Sequence, residues 1–255
     1  MKKLLCVSYQ SANRREQAQQ FAQQQQLNCV AFDQISSELA LNYKDEYIEL
    51  RDMAHNSAIY VDFTSGSLAH RQQYGGGRGQ AIAKAIGLKQ GVAPPSVLDA
   101  TAGLGKDSFV MACLGCPVTL LERSSVLSQL LIDGIQRGQV SADFNIFIKR
   151  GFKLIHTQAI AYLSHLSAQN TPDVIYLDPM YPERKKTALV KKNMQILQKL
   201  LGQDNDTTAL ITGALQYAKK RVVVKRPKGA EIIGDTKPTM SIASKNTRYD
   251  VYVNL

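Results

Sequence analysis

From residue 96 onward the sequence alternates short apolar runs with amphipathic stretches, and that rhythm permits few architectures. The runs at 96–100, 117–122, 152–156, 173–178 and 221–226 are rich in Val, Leu and Ile, while the segments between them carry apolar residues at helical spacing. Strands and helices in strict alternation predict an α/β fold, a doubly wound parallel sheet covered on both faces. The end departs from this rule. Met240–Ala243 and Tyr249–Val253 are separated only by the polar turn Ser244–Arg248, so the sheet should close with a hairpin, one strand of which runs antiparallel to the rest.

The first 75 residues have a different texture. Runs at 3–8, 28–32, 46–51 and 58–63 predict strands, and a helix is expected over 13–26, where Ala18, Phe21 and Ala22 form an apolar stripe among glutamines. The chain therefore divides into a small N-terminal α+β subdomain, 1–75, and a larger α/β domain, 76–255. At 255 residues it is long enough to bury a full core without disulfide staples. Its four cysteines are scattered, and Cys113-x-x-Cys116 lacks the second ligand pair that a tetrahedral zinc site needs, so no metal is expected. No apolar run reaches the roughly 18–20 residues of a membrane helix. The opening Met1-Lys2-Lys3-Leu4-Leu5-Cys6-Val7 breaks off at Ser8 and reads as a first strand, which predicts a cytoplasmic protein with no membrane partner.

The charge is uneven. Net charge is +10, and residues 171–255 alone hold 15 basic against 8 acidic side chains. A basic excess in the last third suggests a surface that faces a polyanion, although a solvated helix face would leave the same trace. A second basic feature is Arg71-Gln72-Gln73-Tyr74-Gly75-Gly76-Gly77-Arg78-Gly79. Backbone N–H groups of that loop, with Arg71 and Arg78 beside them, would suit a phosphate; a connector between subdomains would suit the same sequence.

The segment Ser96–Asp107 runs from a buried strand through a small-residue turn into a helix expected over Ser108–Leu114. Ligands of such sheets sit beyond the carboxyl ends of the strands, where Asp99 would stand and where Gly103 and Gly105 let the backbone come close. Glu122, at the end of the next strand, is placed to accept ribose hydroxyls. A dinucleotide would favour a third glycine where Ser108 stands, and Asp99 would repel its pyrophosphate. S-adenosylmethionine, with its positively charged sulfonium and amino group, tolerates carboxylates and is the better candidate.

The strand at 173–178 delivers Asp178-Pro179-Met180-Tyr181-Pro182. This resembles the Asp/Asn-Pro-Pro-Tyr/Phe motif of methyltransferases that act on exocyclic amines of bases, with Met180 in place of the second proline. The resemblance implies that Asp178 and the Pro179 carbonyl bind the target amine and that Tyr181 stacks on the base. The residues Gly75–Gly79, Asp99–Asp107, Leu121–Arg123, Asp178–Pro182, Ala188–Lys192 and Arg221–Pro227 together resemble the bacterial small-subunit (16S) rRNA (guanine-N2)-methyltransferase J family, over residues 58–255. That resemblance implies a seven-stranded Rossmann-like sheet of the class I adenosylmethionine-dependent type in 76–255. The implied activity is N2-methylation of a guanosine near the 3′ end of 16S rRNA, free or in the small ribosomal subunit. It places cofactor contacts on Lys106, Asp107, Glu122, Arg123, Gln158, Ala159 and Asp178.

Arg184, Lys185, Lys186, Lys191 and Lys192 follow the motif, and Lys219, Lys220, Arg221, Lys225, Arg226 and Lys228 surround the fifth strand. The expectation is that they neutralise RNA phosphates where the base enters, the 184–192 set above all. Three other readings stand beside this one. The motif also fits adenine-N6 methylation of RNA or DNA, a nicotinamide-dependent oxidoreductase would leave residues 178–182 without a role, and a non-catalytic RNA-binding module would not need Asp178.

Overall fold

The computed structural model describes residues 4–65, 77–179, 192–202, 206–234 and 236–254, with only the backbone of Arg78 and Lys192. By packing, the chain forms two compact units, one drawn from Met1–Asp62, Ser124–Arg137 and Tyr181–Gln203, the other from Phe63–Arg123, Gly138–Met180 and Asp204–Leu255.

In the first unit, β1 (Leu5–Tyr9), β2 (Cys29–Ala31), β3 (Leu39–Tyr43), β4 (Ile48–Asp52) and β5 (Ser57–Ile59) form one sheet in the order β2-β1-β3-β4-β5. β1 pairs in parallel with β2 and β3, and β3, β4 and β5 are antiparallel neighbours. Helix α1 (Ala12–Gln24) buries Ala18, Phe21 and Ala22 and leaves most of its glutamines wet, as the apolar stripe predicts. Sequence reasoning missed β3. All five residues of Leu39-Ala40-Leu41-Asn42-Tyr43 are buried, so the strand lacks the in–out alternation that marks a half-exposed strand. Its one polar member, Asn42, is satisfied inside, accepting from Ser8 Oγ at 3.0 Å and donating to Glu49 Oε1 at 3.2 Å.

Two later helices complete this unit. The helix α4 (Ser125–Gly138; α2 and α3 precede it, below) approaches Val61 so closely that a Cβ on Gly134 would lie 2.6 Å from Val61 Cγ1. Arg137 in its last turn donates to the Val61 carbonyl and to Asp133. Helix α7 (Lys192–Leu201) packs on β4 and β5, and Lys199 Nζ lies 2.7 Å from Asp52 Oδ2. A single cut after residue 75 would leave both helices out of the unit they finish.

The second unit carries the alternating pattern. Its strands are β6 (Val97–Asp99), β7 (Val118–Glu122), β8 (Lys153–His156), β9 (Val174–Leu177), β10 (Arg221–Pro227), β11 (Met240–Ala243) and β12 (Thr247–Val253). They form a seven-stranded sheet in the order β11-β12-β10-β9-β6-β7-β8. All pairs are parallel except those of β12, which runs antiparallel to β10 and β11, as the short turn before it requires. Its helices are α2 (Ala81–Ala85), α3 (Lys106–Cys113), α5 (Ala142–Lys149), α6 (Ala159–Ser164) and α8 (Thr207–Tyr217). One core joins Leu98, Leu121, Ile175, Leu177, Val222 and Val224 of the sheet to Leu163 of α6 and Leu210, Ile211 and Ala214 of α8. A second cluster is aromatic: Phe63, Phe109, Phe144 and Phe152 meet with ring centroids 5.1–6.1 Å apart, and Phe147 stands edge-on to Phe109 and Phe144. The chain builds outward from β6 through β7 to β8, then returns to the other side of β6 for β9 and β10. That reversal makes the crevice between β6 and β9 the switch point, where ligands of such sheets bind.

Candidate active site

Strand register decides which side chains meet at the switch point. Asp99 pairs with Tyr176, and Tyr176 with Val223. Residues two apart on a strand share a face, so Asp178 and Lys225 follow on the same face as Asp99. Helix α3 begins here, with Asp107 in its first turn. Asp107 Oδ2 accepts the Tyr176 hydroxyl at 2.6 Å and Lys225 Nζ at 2.7 Å, and the same ammonium donates to Asp178 Oδ2 at 2.8 Å. The Asp178 backbone N–H donates to Thr101 Oγ1 at 2.6 Å, which ties β9 to the turn after β6. Burial alone would lower the Lys225 ammonium, but Asp178 and Asp107 outweigh it and raise it. Loss of hydration raises the Asp178 carboxyl, Lys225 opposes that rise and Asp107 adds to it. Tyr176, buried beside two acids, is pushed well above its ordinary value and stays a hydrogen-bond donor.

The glycine turn is built as the small residues suggest. Gly103 and Gly105 have φ of 56° and 70°, a left-handed backbone that favours glycine. Gly103 donates its N–H to Glu122 Oε2 at 2.9 Å, so the turn and the tip of β7 fix each other. A Cβ at Gly103 would meet nothing nearer than the Thr101 carbonyl at 3.9 Å, which leaves the backbone open to close approach. Asp99 is more enclosed than a rim residue: it is 2% exposed, and its oxygens accept the Thr101 N–H at 3.1 Å and the Ser108 hydroxyl at 2.5 Å. Burial pushes its carboxyl up to about 7; the bonds from Ser108 and Thr101 resist, while Asp107 and Asp178 add to the rise.

The remaining expected cofactor residues lie at the same edge of the sheet. Lys106 opens α3 and is exposed, and Arg123 follows β7 and pairs with Asp206 at 3.0 Å. Gln158 precedes the first turn of α6 and is exposed, and Ala159 starts that helix, half-buried. The Thr157 N–H donates to the Glu122 carbonyl at 3.0 Å, which brings the end of β8 beside that of β7. Pro179 is buried next to Asp178. Tyr181, Arg71, Arg184, Lys185, Lys186 and Lys191 lie outside the described residues, and the side chains of Arg78 and Lys192 do as well.

Sequence reasoning missed Thr101, Ser108 and Tyr176 and misread Lys225. By sequence Lys225 falls among the cations that await phosphate, but it bridges two carboxylates inside the site. Its neighbours depart from that expectation too. Lys220 pairs with Asp173 at 2.9 Å, Arg221 donates to the Ala85 carbonyl at 3.2 Å, and Arg226 is 5% exposed. The signal is a lysine two residues beyond a core valine on a buried strand, where a solvated side chain does not belong.

Asp99, Asp107, Glu122 and Asp178 surround the turn, with Lys225 as their internal cation. Such a carboxylate-rich turn disfavours a pyrophosphate and suits a ligand that carries positive charge. Together with the strand order and the glycine turn, it defines a Rossmann-like methyltransferase that uses S-adenosylmethionine. The family described as "Putative SAM-dependent methyltransferase" matches residues 20–254. "Ribosomal RNA small subunit methyltransferase J" of Aeromonas salmonicida is 50% identical over 218 residues, covering 85% of this chain and 86% of that one. The protein of the same name from Shewanella loihica is 52% identical over 203 residues, 80% of this chain and 77% of that one. The crystal structure of a SAM-dependent methyltransferase from Neisseria gonorrhoeae is 31% identical and covers 96% of this chain and 95% of its own, with a TM-score of 0.70. The chain belongs to the ribosomal RNA small subunit methyltransferase J family. Among the described residues no helix is long and apolar enough to cross a membrane, and no cluster of His, Cys, Asp and Glu could hold a metal ion.

Proposed function

We propose that this chain methylates the exocyclic N2 amine of a guanosine near the 3′ end of 16S rRNA, in the cytoplasm, on free rRNA or the small subunit. The observation that carries this reading is the placement of Asp178 and Pro179 at the carboxyl end of β9, across the switch point from the glycine turn. When bound, S-adenosylmethionine supplies an electrophilic methyl group on a positively charged sulfur. The turn at Gly103 and Gly105, the acids Asp107 and Glu122, and Lys106, Arg123, Gln158 and Ala159 around them would hold that donor, with Asp99 bracing the turn from beneath through Thr101 and Ser108.

The chain's own residues then have a positioning task. A guanine amine is a weak nucleophile because its lone pair is delocalised into the ring. Acceptance of its N–H bonds by the Asp178 carboxylate and the Pro179 carbonyl pulls the nitrogen toward a tetrahedral shape and aims the lone pair. Asp178 keeps Oδ1 without a partner among the described residues, so an acceptor is available for an amine. Tyr181 would stack on the base, which must be unpaired or flipped to enter, and Arg184, Lys185, Lys186, Lys191 and Lys192, with Arg71 and Arg78, would neutralise phosphates. Over the reaction the nitrogen gains the methyl group as the methyl–sulfur bond breaks, its electron pair staying on sulfur to leave a neutral thioether, and the nitrogen gives up one N–H proton to water.

Labelled methyl transfer tests this with unmodified 16S rRNA, small subunits or DNA as acceptor and with wild type or Asp178→Ala as enzyme. The expected result is label in the rRNA or the subunits, not in DNA, and a fall of roughly 100- to 1,000-fold in the variant, as for loss of a transition-state hydrogen bond. Equal labelling by the variant, or a preference for DNA, would sink the reading.

A further inference from the structure

The half-buried Lys225 has no place in the scheme above, and its geometry supplies one. Lysine carries three donors and no acceptor. Nζ spends two of them, on Asp107 Oδ2 at 2.7 Å and on Asp178 Oδ2 at 2.8 Å. Asp107 is itself fixed by the Tyr176 hydroxyl at 2.6 Å and by its place in the first turn of α3. The ammonium is therefore anchored from one side and holds Asp178 from the other. The backbone of Asp178 is held separately, by Thr101.

We propose that Lys225 is a positioning residue for methyl transfer: it pins Oδ2 of Asp178 and leaves Oδ1 to accept the N–H of the target amine. This rests on the function proposed above and deepens it. Among the described residues, the charges that face Asp178 are Lys225 from β10, Asp107 from α3 and, more distantly, Asp99 from β6; Tyr176 from β9 is neutral. Without Lys225, Asp178 would be left among acids in a recess that already disfavours its charge, and it would take up a proton at higher pH. A protonated carboxyl presents a donor where the amine needs an acceptor.

The test is single-turnover methylation of unmodified 16S rRNA or small subunits across pH 5–9, with wild type, Lys225→Met and Lys225→Arg. For Lys225→Met the rate at pH 7 should fall about 100-fold. Its acid limb should move up by about one pH unit or more, so that part of the rate returns at pH 9. The rRNA dissociation constant should stay within about threefold, because the phosphate contacts proposed above do not include Lys225. Lys225→Arg keeps the charge and should recover a large part of the rate and the wild-type limb. A wild-type rate in Lys225→Met, a rate lost equally at every pH, or an arginine variant no better than methionine would overturn the proposal. Should Lys225→Met fail to fold, as read by its melting temperature, Lys225→Gln tests the same shift of the limb. If wild type methylates no rRNA, the function above fails; if it does and the limb stays in place, only the role of Lys225 fails.

Discussion

Asp99 should make the protein's stability depend on pH, and replacing it with asparagine should remove that dependence. The carboxyl titrates at 3.8 when exposed in the unfolded chain and near 7 in the fold, where burial outweighs the hydrogen bonds from Ser108 and Thr101. Because the folded value is the higher one, the stabilising contribution is complete below about pH 4 and is lost as pH rises through 7. The interval spans about three decades of proton affinity, and at about 1.4 kcal/mol per decade the loss is about 4 kcal/mol. The introduced asparagine can still accept the Thr101 N–H, and the Ser108 hydroxyl can rotate to accept from the new amide. Asp99→Asn should therefore match wild type at pH 4 and be more stable by up to about 4 kcal/mol at pH 8. Urea midpoints of both proteins measured from pH 4 to 8 give the difference curve, in which the titrating groups that do not interact with Asp99 cancel. A difference that stays flat across that range would refute the reasoning, because the buried acid would then carry no penalty.

Two further outcomes follow from charge and packing. Arg184, Lys185 and Lys186 together changed to Ala should weaken rRNA binding and flatten its salt dependence, by about 0.7–0.9 in log–log slope for each phosphate that is no longer neutralised, with donor affinity unchanged in titration calorimetry. Gly134→Ala should cost about 1–3 kcal/mol in a denaturant melt, since the new Cβ would lie 2.6 Å from Val61 Cγ1 and 3.0 Å from the Val61 carbonyl oxygen.

The doubly wound sheet was legible because a buried parallel strand has a simple signature: Val97–Asp99, Val118–Glu122 and Val174–Leu177 are apolar runs that end in a turn or an acid. The hairpin at the end was legible because the turn between Ala243 and Thr247 has no room for a crossover helix. Leu39–Tyr43 was not, because a central strand of five residues with Asn42 as its fourth shows neither alternation nor an unbroken apolar run. At the site, the acid-tipped strands and the glycine turn could be placed from the chain alone. The bridge from Asp107 through Lys225 to Asp178 could not, since it depends on the register of β10 against β9, which no local pattern records. Counting charge made the same error with Arg226: a sum treats every cation as solvated, and this one is buried.

The first unit also sets an order of events during synthesis. Its five strands are complete by Ile59, but α4 ends at Gly138 and α7 at Leu201, late in a chain of 255. At roughly 5–20 residues per second, the nascent sheet waits on the order of ten seconds for its last helix. Throughout that time Asp52 lacks Lys199, and β4 and β5 lack the helix that packs on them. A fragment ending before residue 192 would be held in that same incomplete state, with the part of β4 and β5 on which the helix packs left exposed and open to association with other chains.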